Sequence, residues 1–160
     1  MEKQRWAIFD LDNTIADINE RLKAASPNSK LDYKLLHNEK YIELYDKPIK
    51  ATIDLINVLN SFNVRILILT ARADSTRAVT VDWLFRNNVV YDSLIMKSFK
   101  DTYVKSFEWK EKQMHKFMDK YNISYEQIIL SSDDYGKNQT MFESWGIPCL
   151  DPNILPDWSK

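Results

Sequence analysis

The chain has 160 residues, enough for one domain with a sizeable core, and its net charge is −1. This near-neutral charge excludes the strongly basic composition of proteins that coat DNA non-specifically. The chain contains only two glycines, which are too few for a dinucleotide-binding fingerprint and too far apart for a Walker loop.

The cysteine content and the distribution of hydrophobic residues limit the kinds of site and the cellular compartment that we expect. One cysteine cannot form an internal disulfide, and with two histidines it is too little for a typical zinc site. No apolar run approaches the roughly 20 residues of a membrane span. The single thiol and the charged start of the chain predict a cytoplasmic protein that does not enter a membrane.

Short apolar runs in chain order predict five strands, at residues 6–9, 64–70, 93–96, 127–130 and 147–150. Helical spacing of apolar residues predicts helices between them. These lie at 31–45, from Pro48 in a first turn to about 62, from a cap at Asp74 or Ser75 to about 86, at 102–121, and shortly before Gly146.

This alternation predicts a three-layer α/β/α sandwich with a central parallel sheet. The whole chain, 1–160, is predicted to be one domain, with a small helical lid insertion at about 13–47. In such sheets ligands bind beyond the carboxyl ends of the strands. The polar residues that follow the strands are therefore the candidate site residues.

Several charged and hydroxyl side chains stand at these strand ends or just after them. They are Asp10 and Asp12, Thr70 and Arg72, Asp133 and Asp134, and Lys105 early in the long helix. Four carboxylates at one edge repel each other unless a cation is present, and oxygen ligands without His or Cys favour Mg²⁺. The hydroxyl and cationic groups would suit a phosphate.

Taken together, the motifs resemble those of the haloacid dehalogenase (HAD) superfamily of phosphatases. They are Phe-Asp-Leu-Asp-Asn-Thr at 9–14, Leu-Thr-Ala-Arg at 69–72, a lysine, and Asp-Asp at 133–134. Within that superfamily the chain is most similar to the 3′-phosphatase domain of bacteriophage-type polynucleotide kinase. Arg21, Arg72 and the Asp-x-x-x-Lys pattern from Asp101 to Lys105 carry this similarity. The family's glycine is replaced by Asn13, which also accepts left-handed turns.

The resemblance implies roles for the motif carboxylates. Asp10 would be the nucleophile, and Asp12 would protonate the leaving oxygen and then activate water. Mg²⁺ would be held by Asp10, the backbone carbonyl of Asp12 and Asp133, with Asp134 as a further ligand or acting through water.

It also implies roles for the remaining site residues. Thr70 and Lys105 would hold the phosphoryl oxygens, and Asp101 would orient Lys105 from one turn away on the same helix. Arg21 and Arg72 would contact the substrate phosphate or a neighbouring backbone phosphate.

The implied function is a Mg²⁺-dependent phosphomonoesterase that removes 3′-phosphates from polynucleotide ends, as in nucleic-acid repair. A 5′(3′)-nucleotidase, whose 31–45 segment would fold over the base, remains an alternative, as does a catalytically silent HAD-like binding protein. A response-regulator receiver is disfavoured because the third predicted strand ends in Ile95-Met96-Lys97, without an aspartate. The expected partner is a phosphorylated nucleic-acid end or a nucleotide, and the oligomeric state is left open.

Overall fold

A five-stranded parallel sheet forms the centre of the structure, a computed structural model that describes residues 3–156. In chain order the elements are β1 (Trp6–Phe9), β2 (Ala16–Asp17), α1 (Asn19–Ala24), α2 (Tyr33–Leu36), α3 (Glu39–Tyr45), β3 (Lys47–Pro48), α4 (Lys50–Ser61), β4 (Arg65–Ala73), α5 (Arg77–Arg86), β5 (Ser93–Lys97), α6 (Ser106–Tyr121), β6 (Ile128–Ser132), α7 (Gly136–Ser144) and β7 (Cys149–Leu150). Within the described range, no helix has both the length and the hydrophobicity to span a membrane.

The strand order is β5-β4-β1-β6-β7, and all neighbouring pairs in this sheet are parallel. β1 lies in the middle, between β4 and β6. Its carboxyl end therefore has the ends of two other buried strands directly beside it, which is where a parallel sheet forms its ligand crevice.

Helices cover both faces of the sheet, and the strand alternation separates two cores. Ala7 and Phe9 of β1 pack with apolar residues of α4 and α5. Trp6 and Ile8 point to the other face and pack with apolar residues of α6 and α7. The predicted three-layer α/β/α sandwich is thereby confirmed, because the central strand β1 is buried on both its faces between two layers of helices.

The insertion after β1 differs from the single helix predicted at 31–45. It contains two short helices, α2 and α3, because each has its own N-cap. The Asp32 side chain accepts hydrogen bonds from the amides of Lys34 and Leu35, and the Asn38 side chain does the same for Lys40 and Tyr41. An asparagine cap in the middle of the segment ends one helix and starts the next.

Three predicted helix starts were also wrong. Pro48 pairs with Ala16 in the small antiparallel β2–β3 ribbon, and α4 begins at Lys50. Asp74 and Ser75 lie in a 3₁₀ turn, and α5 begins after it at Arg77 without a side-chain cap. The long helix α6 begins at Ser106 and not near 102, because another 3₁₀ turn, Phe99–Asp101, precedes it.

Asparagine takes the left-handed backbone positions that glycine often fills. Asn13 has φ 58°, and Asn88, which follows the end of α5, has φ 55°. Asparagine accepts this conformation because its short polar side chain can hydrogen-bond locally. Asn13 in particular turns the chain directly after Asp12, and its side-chain oxygen accepts the amide of Ile18 at 3.2 Å.

Candidate active site

Three aspartates meet at the carboxyl ends of β1 and β6. Phe9 pairs with Ser132 in the sheet, and the amide of Asp10 donates to the Ser132 carbonyl at 2.9 Å. Asp10 directly follows the last residue of β1, and Asp133 directly follows the last residue of β6, so the two aspartates are neighbours. Carboxylate oxygens of Asp10, Asp133 and Asp134 lie within 4.8 Å of one another. The structure brings together these three predicted metal ligands because consecutive sheet positions place them there.

The carboxylate of Asp133 is held in one orientation. Its oxygens accept hydrogen bonds from the Tyr135 amide at 3.0 Å and from Asn138 Nδ2 at 3.1 and 3.2 Å. These donors come from the start of α7 and the turn before it. A carboxylate fixed in this way presents its oxygens to the cluster at little further entropic cost.

A buried lysine, Lys110, joins Asp10 to Asp133. Its Nζ lies 2.9 Å from Asp10 Oδ1 and donates to Asp133 Oδ2 at 2.7 Å, while its side chain is only 2% exposed. Lys110 was missed in the sequence, where it stands among several lysines of α6. The available signal was helical phase: Lys110, Met114 and Phe117 follow the spacing of the buried stripe.

The predicted lysine, Lys105, is not brought to this cluster. It is an exposed residue that caps the start of α6 and lies outside the helix itself. Asp101 is in the preceding 3₁₀ turn, where its Oδ2 accepts a hydrogen bond from Trp109 Nε1 at 3.3 Å. The expectation that Asp101 and Lys105 pair within one helix was therefore wrong.

Asp12 is held through one of its two oxygens. Its Oδ1 accepts hydrogen bonds from Arg21 Nη2 at 2.9 Å, from Arg72 Nε at 3.0 Å and from Arg72 Nη2. Across residues 3–156 the other oxygen, Oδ2, has no hydrogen-bond donor, and the Asp12 side chain keeps 25% of its surface exposed. One oxygen is thus fixed by cations, and the other remains accessible.

Asp46, which sequence reasoning missed, completes this ion-pair network. It lies between α3 and β3, with its Oδ1 2.8 Å from Arg21 Nε, and its Oδ2 accepts from Arg72 Nη2 at 2.7 Å. The Asp46, Arg21 and Arg72 side chains have no exposed surface. No motif marks Asp46 in the sequence, because only folding brings it to arginines 25 and 26 positions away.

The two arginines do not occupy the place expected of them. The sequence predicted that Arg21 and Arg72 contact a substrate phosphate, but both guanidinium groups are buried against Asp12 and Asp46. Arg21 Nη1 also donates to the Leu36 carbonyl at 2.8 Å, which ties the end of α2 to the network. These contacts use the arginines to hold protein groups.

Thr70 lies on β4, which continues past it to Ala73 with an irregular register. Its side chain is buried, and its Oγ1 accepts a hydrogen bond from the Arg72 amide at 3.1 Å. A hydroxyl that accepts in this way keeps its own hydrogen free to donate. Thr70 therefore combines a fixed backbone position with an available donor.

Burial and neighbouring charges set the ionisation of the site. Burial raises the pKa of Asp10 well above its usual value, because the attraction of Lys110 offsets only part of that effect and Asp133 adds repulsion. Burial would also raise the pKa of Asp12, but Arg72 and Arg21 outweigh it and the pKa lies below its usual value. Burial opposes the charge of Lys110, yet Asp10 and Asp133 raise its pKa further.

The charges of these groups do not balance. Five carboxylates, on Asp10, Asp12, Asp46, Asp133 and Asp134, meet three cations, on Arg21, Arg72 and Lys110. With all of them ionised, two negative charges remain, and they fall on the cluster that offers only oxygen ligands. This donor set and charge suit a divalent hard cation such as Mg²⁺.

Comparison with known proteins agrees with this geometry. The family model of the HAD superfamily, subfamily IIIB (acid phosphatase), matches residues 1–138. No curated protein matches the chain.

Among solved structures, one chain of a Pnkp1/Rnl/Hen1 RNA repair complex is similar to 92% of this chain, with a TM-score of 0.70 and 17% identity. The match spans only 42% of that longer chain. A haloacid dehalogenase-like hydrolase from Streptococcus pneumoniae has a TM-score of 0.62 and 16% identity, covering 91% of this chain and 83% of that one. A HAD-family enzyme from Bacteroides thetaiotaomicron, in complex with magnesium and inorganic phosphate, has a TM-score of 0.61 and 13% identity over 98% of both chains.

Proposed function

Since this chain belongs to the HAD superfamily of phosphatases, subfamily IIIB, we propose that it is a Mg²⁺-dependent phosphomonoesterase that removes 3′-phosphates from polynucleotide ends. The observation that carries the proposal is the joint arrangement at the carboxyl edge of the sheet. An acidic cluster with a buried lysine lies there beside Asp12, whose Oδ1 is fixed while its Oδ2 is accessible.

The metal would be held by the carboxylates of Asp10, Asp133 and Asp134 and by the backbone carbonyl of Asp12. Bound there, Mg²⁺ offsets the repulsion between a carboxylate nucleophile and a phosphate and stabilises charge in the transition state. The magnesium and phosphate in the Bacteroides thetaiotaomicron enzyme support this assignment.

Asp10 acts as the nucleophile. One of its carboxylate oxygens attacks phosphorus, the bond from phosphorus to the leaving oxygen breaks, and an aspartyl-phosphate forms. Lys110, 2.9 Å from Asp10 Oδ1, orients this carboxylate, and its charge takes the part that the sequence assigned to Lys105. The Thr70 hydroxyl donates to a phosphoryl oxygen.

Asp12 moves the protons, through Oδ2. Because the arginines keep the pKa of Asp12 low, Asp12 is ionised in the free site. The proton arrives with the monoanionic form of the phosphate ester, whose second pKa is about 6. Asp12 passes that proton to the leaving oxygen and then takes one from the water that hydrolyses the aspartyl-phosphate.

The preference for a polynucleotide end is supported by the insertion. It is small, and Arg21 and Asp46 tie it to Asp12 through buried ion pairs, so it is fixed in place beside the site. The likeness to a chain of an RNA repair complex supports the same substrate class. A nucleotidase is the second candidate, because the family model that matches describes acid phosphatases.

A phosphate-release panel tests the proposal. It compares a 3′-phosphorylated oligonucleotide, a 3′-mononucleotide and a 5′-mononucleotide, each with Mg²⁺ and with EDTA. We expect the oligonucleotide to have the highest kcat/KM, activity only with Mg²⁺, and less than about a hundredth of it in Asp10→Asn. A higher kcat/KM for the 5′-mononucleotide would make the protein a nucleotidase, and no Mg²⁺-dependent phosphate release from any of them would overturn the proposed mechanism.

A further inference from the structure

The segment after β5 lies at the same edge of the sheet as the catalytic cluster. β5 ends at Lys97 in a sheet whose strands are all parallel, so residues 98–105 leave the sheet at its carboxyl edge. We refer to residues 98–105 as the aromatic loop. No part of the mechanism uses this loop.

Two contacts hold the aromatic loop in position next to the site. Lys97 Nζ, at the end of β5, donates to the carbonyl of Val104, which ties the far end of the loop back to the sheet. Trp109 Nε1 donates to Asp101 Oδ2 at 3.3 Å. Trp109 directly precedes Lys110, the residue that contacts Asp10, so the loop is fastened to the same turn of α6 that enters the catalytic cluster.

The loop presents aromatic rings and positive charges to solvent. Phe99 is 86% exposed and Tyr103 is 99% exposed. Lys100 and Lys105 are exposed beside them in the sequence, while the one acidic residue, Asp101, has its carboxylate engaged by Trp109. Rings as exposed as these bury little apolar surface in the fold, and two of them in one eight-residue loop leave their faces available to a ligand.

Their combination indicates the chemistry of that ligand. Protein-docking surfaces are depleted in lysine at their centres. Interleaved aromatic rings and cations are instead the means by which proteins bind single-stranded nucleic acid, since every base has a face that can stack and every nucleotide a phosphate that can pair. A polynucleotide whose terminal phosphate occupies the catalytic cluster leaves the protein at this carboxyl edge of the sheet, where the aromatic loop also lies.

We propose that the aromatic loop binds the single-stranded nucleotides next to the 3′-phosphate, an inference that rests on the proposed function. Phe99 and Tyr103 stack on bases, and Lys100 and Lys105 pair with backbone phosphates. The loop thereby distinguishes an oligonucleotide from a mononucleotide or a simple phosphate ester, which reach the catalytic cluster only.

The test combines two loop variants with a matched control. Phe99→Ala/Tyr103→Ala removes both rings, and Lys100→Glu/Lys105→Glu reverses both charges. Phe85→Ala is the control, because Phe85 is 80% exposed near the end of α5, at the opposite edge of the sheet where β5 begins. Each is assayed on a 3′-phosphorylated oligonucleotide and on p-nitrophenyl phosphate.

We expect the ring variant to lower kcat/KM on the oligonucleotide by at least about tenfold, and the charge variant to weaken its salt dependence. Activity on p-nitrophenyl phosphate should stay unchanged in both, and Phe85→Ala should change neither activity. The inference is overturned if the oligonucleotide values of both loop variants equal those of the control.

A binding measurement separates this inference from the proposed function. Fluorescence anisotropy gives the Kd of a labelled 3′-phosphorylated oligonucleotide for Asp10→Asn, with and without the ring substitutions. If the ring substitutions raise the Kd about tenfold, the binding role of the loop is supported, whether or not the wild type hydrolyses the oligonucleotide. If the wild type binds the oligonucleotide but does not hydrolyse it, only the proposed substrate is overturned. An unchanged Kd, or a wild-type dimer that the ring substitutions convert to monomer, would overturn the role of the loop.

Discussion

Replacing Asp46 by asparagine removes one charge from a fully buried network without changing the volume of the side chain. Asp46 is the common partner of Arg21 and Arg72, at 2.8 Å and 2.7 Å, and none of the three side chains is exposed. In Asp46→Asn, two buried guanidinium groups share only Asp12, which already contacts both. The variant therefore leaves a positive charge uncompensated in the interior.

The loss of stability follows from that uncompensated charge. Breaking a buried pair in this way costs about 3–5 kcal/mol. The natural comparison is Asp54→Asn, since Asp54 pairs with Lys50 on the exposed face of α4 and such pairs contribute less than about 1 kcal/mol. At about 2–4 °C per kcal/mol for a domain of this size, we expect Asp46→Asn to lower Tm by roughly 6–20 °C. Urea unfolding followed by tryptophan fluorescence gives the same comparison in free energy.

Activity should respond to the same change through Asp12. With Asp46 gone, the arginines no longer hold Asp12 Oδ1 in one position, and proton transfer to the leaving oxygen becomes less efficient. We expect kcat/KM for an alkyl phosphate to fall by about 10- to 100-fold, which is a partial loss of the roughly 100- to 10,000-fold that general acid catalysis contributes. The fall should be much smaller for p-nitrophenyl phosphate, because nitrophenolate leaves without needing a proton.

Two results would refute this reasoning. Equal losses of stability in Asp46→Asn and Asp54→Asn would mean that the buried network does not stabilise the fold. The second result would be an equal loss of kcat/KM on the alkyl phosphate and on p-nitrophenyl phosphate, measured at a temperature at which Asp46→Asn is fully folded. It would mean that Asp46 acts on the site in general and not through the proton carried by Asp12.

Three further predictions concern the metal, the lysine and the thiol. Millimolar Mg²⁺ should raise Tm relative to EDTA, because a ligand at a hundredfold excess over its Kd stabilises the folded state by about 2.7 kcal/mol. Asp133→Asn should reduce the rise, and an unchanged Tm in the wild type would argue against the metal site. On p-nitrophenyl phosphate, Lys110→Met should lower kcat/KM at least about 100-fold while Lys105→Met leaves it close to wild type, and the reverse order would return the role to Lys105. Burial raises the pKa of the Cys149 thiol to about 11. Its reaction with a disulfide reagent at pH 8 should therefore be roughly 100-fold slower than that of a free cysteine and accelerate up to pH 11, whereas a plateau near pH 9 would contradict the raised pKa.

The amino-acid sequence by itself was enough for the layers of the fold and for the acidic cluster. Trp6–Phe9 and the run before Thr70 are apolar without interruption, which is what strands covered on both faces require. Asp10 directly follows the first of these strands, and Asp133 directly follows β6, which begins with the apolar run Ile128–Leu130 and ends in two serines. Parallel strands end at one edge of the sheet, so the position of these carboxylates is fixed by residues adjacent to them in the chain.

Only the tertiary structure decided which cations serve this cluster and which groups they hold. Lys105 lies outside α6 because the helix starts only at Ser106, whereas Lys110 lies on the side of α6 that packs against the sheet. Asp46 meets Arg21 and Arg72 because α3 and β4 pack around Asp12, across 25 and 26 positions of sequence. Secondary structure follows from local spacing and apolar pattern, but the pairing of long charged side chains depends on which elements pack together. A lysine or arginine near a motif can therefore be either an exposed side chain or part of a buried ion pair, and the sequence pattern is the same in both cases.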